Sequence, residues 1–106
     1  MDDSPITIAN RCKEVLAAHY GHRFEALLLY GSVARRQASS ESDIDLLVLL
    51  RPPFDYMDEL RRLVDLIYPI QLESDRLISA KPVAVDEFDQ GRLQLYRNAK
   101  REGIEV

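Results

Sequence analysis

Two apolar runs frame one short polar segment in the N-terminal half of this chain. Glu25-Ala26-Leu27-Leu28-Leu29-Tyr30 ends at Gly31-Ser32. After ten more residues, Asp43-Ile44-Asp45 opens the run Leu46-Leu47-Val48-Leu49-Leu50. Runs of this length bounded by turn residues predict buried strands, here over about 24–30 and 43–50. Such strands need helices to cover them. The acid at 45 interrupts an otherwise continuous apolar run. A strand-capping turn does not account for a carboxylate at that place.

The parts of the polar segment have definite physical uses. Gly31 lets the chain turn sharply and lets its backbone approach a ligand closely. Val33-Ala34-Arg35-Arg36-Gln37-Ala38 can begin a helix. Ser32 at its start would offer a hydroxyl and free N–H groups to phosphate oxygens. Side chains at i and i+2 of a strand point the same way, so Asp43 and Asp45 share a face while Ile44 and Leu46 take the other. Two adjacent carboxylates repel unless a cation lies between them. Hard oxygen ligands of this kind select Mg²⁺ or Mn²⁺, completed by substrate phosphates. The segment therefore suits a nucleoside triphosphate with its divalent metals.

Gly31-Ser32-Val33-Ala34-Arg35 followed by Ser42-Asp43-Ile44-Asp45-Leu46 resembles the signature of the DNA polymerase β-like nucleotidyltransferase superfamily. The short chain is most similar to the minimal nucleotidyltransferases, the antitoxin partners of HEPN-domain toxins. The motif covers roughly residues 27–50, and the order of elements extends the likeness. The resemblance implies that Asp43 and Asp45 are shared metal ligands. It implies that Gly31 and Ser32 hold the β- and γ-phosphates and that Arg35 supports the triphosphate. The family also carries a third carboxylate on its third strand, as general base and metal ligand. By pattern its place falls on Gln71, and Glu73, two residues on, is the acid expected to supply the charge. Arg36 stands where many relatives have glycine.

Composition bounds the alternatives. A chain of 106 residues makes one domain, spanning 1–106, and buries about 65% of its unfolded surface. Hydrophobic content of 46% beside 30% charged residues is that of a globular protein. A net charge of −4 argues against DNA as partner, since that binding needs clustered Lys and Arg. Cys12 is the single cysteine, which excludes an internal disulfide and fits a reducing cytoplasm. Met1-Asp2-Asp3 is no signal-peptide start, and no apolar run approaches the ~20 residues of a membrane span.

Elsewhere the sequence predicts a helix capped by Ser4-Pro5, with Ile8, Cys12, Val15, Leu16 and His19 inward and Gly21 as its stop. His19 and His22 lack the spacing of a transition-metal site. Arg51-Pro52-Pro53 breaks the second strand. Asp55 caps a helix that buries Met57, Leu60, Leu63, Val64 and Ile67, with Asp58 at the third helical position. Tyr68-Pro69 ends that helix, and Ile70-Gln71-Leu72-Glu73 alternates as a third strand. Lys81-Pro82 reads as loop. A last helix from about Asp86 turns Phe88, Leu95, Tyr96 and Ala99 inward; Gly91 weakens its middle, so one helix or two shorter ones fit the pattern. The expected class is α+β, a two-layer α/β polymerase β-like nucleotidyltransferase fold with a small mixed sheet of about three strands.

The expected activity is Mg²⁺-dependent transfer of AMP from ATP to a hydroxyl of a partner protein, a HEPN-type toxin. A protein acceptor is expected because the chain ends about thirty residues after the expected third strand, with no further domain to hold a small acceptor. Two alternatives stand beside it. One is a catalytically degenerate, nucleotide-binding or steric antitoxin. The other is a small-molecule, aminoglycoside-like transferase. The reading leaves open whether copies of the chain associate.

Overall fold

The computed structural model describes residues 4–31 and 43–106. Helix α1 (Pro5–Tyr20) begins where the Ser4 hydroxyl accepts the Thr7 N–H at 3.2 Å, with Pro5 preset for the first helical position. Gly21, at φ 58°, stops it, and a short 3-10 turn leads into β1 (Phe24–Tyr30). The chain continues as β2 (Ile44–Leu50), α2 (Tyr56–Glu73), β3 (Ile78–Ala84), α3 (Val85–Gln90), α4 (Gln94–Glu102) and β4 (Ile104–Glu105).

Among the described residues the strands form one mixed four-stranded sheet in the order β3-β2-β1-β4. Strand β1 pairs antiparallel with both β2 and β4, whereas β2 and β3 run parallel, joined through α2. The parity of the strands divides the apolar residues between two cores. Leu27, Leu29, Ile44, Leu46, Val48 and Leu50 pack under α1 and α2. Leu28, Leu47, Leu49 and Val83 pack under α3 and α4 with Phe88, Tyr96 and Ala99. The continuous leucine runs follow from this: each face of the central strands has its own helical cover.

Five expectations change. Among the described residues the sheet has four strands where about three were expected, β4 being the addition. The third strand is residues 78–84, not 70–73. Helix α2 runs through Pro69 to Glu73 because Leu63, Ile67 and Ile70 continue one buried stripe. Pro69 and Asp65, whose carbonyl loses its helical donor, both lie on the exposed side, where water can serve that carbonyl. Lys81-Pro82 belongs to β3 rather than a loop. β3 is an edge strand, where proline's missing N–H is tolerated. The buried stripe of α2 includes Glu59 and Ile70, while Met57 and Val64 are exposed. Buried Glu59 is satisfied by the Tyr20 hydroxyl at 2.9 Å and by Arg62 at 3.2 Å. Finally, Tyr20 rather than His19 closes the buried stripe of α1. The C-terminal helix does divide at Gly91, which caps α3 in the left-handed region.

Candidate functional site

Tyr30 and Asp45 sit directly opposite each other where β1 ends and β2 begins. Strand parity points both toward the α3/α4 face. Gly31 follows at once, with φ 81°, a conformation that side chains disfavour. Space is a second reason for glycine. A Cβ at this position would lie 2.6 Å from the Asp45 carboxylate oxygen Oδ2. The turn backbone is thus pressed against the carboxylate. Ser32 and Arg35 lie outside the described residues.

The electrostatics are those of two crowded acids. Burial raises the pKa of Asp45 first, the Asp43 charge raises it further, and the ammonium of Lys81 opposes both. The Tyr30 phenol is pushed up to about 12 by burial, then by Asp45 and Tyr56. Asp43 itself is exposed. A cleft opens at this corner, and a second lies beside Leu47 and Lys81. One of about 140 Å³ is lined by Tyr30, Gly31, Leu95, Asn98, Ala99 and Glu102. The other, about 270 Å³, is lined by Leu47, Tyr56, Lys81, Val83, Leu93 and Tyr96, with Pro82 and Leu95.

Glu73 does not join this corner. It ends α2, which covers the opposite face of the sheet, and it forms an ion pair with Arg11 of α1. Gln71 is also helical and has a structural task. Its amide donates to the Arg76 carbonyl at 2.9 Å and its oxygen accepts the Ile78 N–H at 2.7 Å, tying the end of α2 to the start of β3. Residues 70–73, expected as a strand, are helix, which sets Glu73 apart from Asp43 and Asp45 and not beside them as third metal ligand and base.

The residues beside Asp45 on the true third strand are Ser79, directly paired with it, and Lys81, paired with Leu47. No carboxylate occurs along Ile78–Ala84. Among the described residues no group of three or more His, Cys, Asp or Glu is placed to hold a metal. Asp43 and Asp45 fit one hard divalent cation whose other ligands come from phosphates and water. Among the described residues no third acid stands beside them to hold a second ion. Sequence reading missed Ser79, Lys81 and Tyr30 because their meaning depends on strand pairing. Strand character for ISAKPVA was the available signal, and Pro82 masked it.

Other reactive groups are inert or apart. The buried Cys12 thiol is pushed up to about 11 by burial, which keeps it protonated. His19 and His22 are exposed. Among the described residues no helix is long and apolar enough to cross a membrane.

Comparison with known proteins agrees with the geometry. Residues 10–106 match the family described as Polymerase beta, Nucleotidyltransferase. No curated protein sequence matches the chain. A crystal structure from Sulfolobus solfataricus, described as a candidate nucleotidyltransferase, is 18% identical with a TM-score of 0.56. The match covers 99% of this chain and 87% of that one. A toxin–antitoxin crystal structure with AMP-PNP is 17% identical with a TM-score of 0.53, over 90% of this chain and 69% of that one. At such identities these likenesses establish the fold.

Proposed function

Since this chain belongs to the polymerase β nucleotidyltransferase family, we propose that it binds ATP with Mg²⁺ (or Mn²⁺) at the Gly31–Asp45 corner and transfers AMP to a hydroxyl of a partner protein. The partner is a HEPN-type toxin that the chain counteracts in the cytoplasm. One observation carries the reading: the glycine turn packs directly on a carboxylate that shares its strand end with a second acid. A fold neighbour from a toxin–antitoxin complex that contains AMP-PNP supports the ligand and the partner class.

In this reading Asp43 and Asp45 hold the divalent ion, which when bound neutralises phosphate charge and polarises the reacting phosphorus. Gly31 brings backbone N–H groups to the β- and γ-phosphates. Ser32 and Arg35, which lie outside the described residues, would contribute a hydroxyl and a guanidinium to the phosphates. The partner's hydroxyl oxygen forms a bond to the α-phosphorus in line with the departing pyrophosphate, whose bridging bond breaks. The hydroxyl proton passes to a base from solvent or from the partner. The sheet face contributes position and charge. A docked partner delivers its hydroxyl at high effective concentration. The added phosphate would then repel RNA from the toxin's cleavage centre.

The bare β3 favours a second reading, nucleotide binding or plain contact without transfer. Intact-mass spectrometry separates the two. A HEPN partner incubated with this chain and Mg-ATP should gain AMP, and Asp43→Asn should abolish the gain. An unshifted mass, with neutralisation that survives Asp43→Asn, would reject transfer.

A further inference from the structure

We propose that Lys81 is the second cation of the phosphate site, its ammonium binding the nucleotide's phosphates beside a single divalent ion held by Asp43 and Asp45. The inference rests on the nucleotide-binding reading above and goes beyond it in naming how the charge is balanced.

The register carries the argument. Asp45, Leu47 and Leu49 of β2 pair with Ser79, Lys81 and Val83 of β3. Val83 is buried with Leu47 and Leu49 in the α3/α4 core. Ser79 and Lys81 share its parity, so they emerge on the face that carries Asp45. Strand spacing and rise put the Lys81 and Asp45 backbones about 8 Å apart, within the span of a four-carbon stem reaching toward a shared ligand. Among the described residues Lys81 is exposed and has no ion pair within 4.0 Å.

Charge balance supplies the need. A nucleoside triphosphate placed beside two carboxylates brings more negative charge than one divalent ion cancels. A second ion would require a further acid, and the neighbouring strand has none. A lysine at the same edge offers a compact positive charge with three donors, a proven form of phosphate contact. The competing explanation is that Lys81 merely guards an open sheet edge against pairing. That role predicts no effect on nucleotide binding.

The test uses a non-hydrolysable ATP analogue with Mn²⁺, reading analogue affinity by calorimetry and bound Mn²⁺ by electron paramagnetic resonance. The wild-type chain should hold one Mn²⁺ per bound analogue. Lys81→Ala should weaken the analogue about tenfold or more while circular dichroism and melting stay native, and Lys81→Arg should largely restore it. Lys81→Asp should bind only at raised Mn²⁺, with two ions. Equal affinity in wild type and a folded Lys81→Ala overturns the inference, as do two ions per analogue in the wild type. In both cases the nucleotide reading stands. A folded wild type that binds no analogue overturns that reading and this inference together.

Discussion

Asp45 is held where burial and the neighbouring Asp43 make its charge unwelcome. Its pKa is raised from the ordinary 3.8, so the folded state favours the protonated form. The contribution to stability is present below that ordinary value and is lost as pH rises through the raised one. In EDTA, Asp45→Asn should therefore match the wild type near about pH 4 and exceed it near about pH 7.5. Urea melts at the two values measure the difference. A variant equally destabilised at both would mean that Asp45 packs rather than strains. The same substitution should abolish nucleotide binding, so stability gained and ligand lost go together. Gly31 belongs to this balance, because its missing Cβ leaves room for the carboxylate.

At the scale of elements, α2 departs most from simple propensity. It keeps a proline in its interior so that Ile67 and Ile70 reach the same core. Pro69→Ala restores the N–H for the Asp65 carbonyl. It should raise stability by about 1–2 kcal/mol, the helix gain being reduced by a freer unfolded chain. Chemical denaturation measures it, and an unchanged midpoint would show that the helix has already relaxed around the proline. The last turn of α2 then delivers Gln71 to fasten the start of β3. That fastening sets the register by which Lys81 meets the acidic corner.

For the whole molecule, two helical layers clamp the sheet from both sides while the corner at Gly31 and Asp45 stays open to a cleft. A ligand that binds only the folded chain stabilises it by mass action. Mg-ATP at about a hundredfold excess over its Kd should raise Tm by about 10 °C. Mg²⁺ alone should do much less, and Asp45→Asn should show no nucleotide-dependent rise. Differential scanning calorimetry checks all three. A full rise with ATP in EDTA would remove the divalent ion from the site.

The sequence by itself determined the local chemistry. The two leucine-rich strands, the capped first helix and the glycine turn ahead of paired acids are set by near neighbours in the chain. Caps, turns and apolar periods are short-range matters, and so they were legible. Only the tertiary structure decided what lies beside Asp45. Alternation in Ile70-Gln71-Leu72-Glu73 suits a strand, yet the core under α2 claims Ile70 and keeps the segment helical. Pro82 argues against a strand, yet an open sheet edge admits it. Both outcomes depend on which surfaces are already covered, and no residue carries that information locally. The acid expected next to the pair therefore lies on the far face, bound to Arg11, and a lysine stands on the strand beside it.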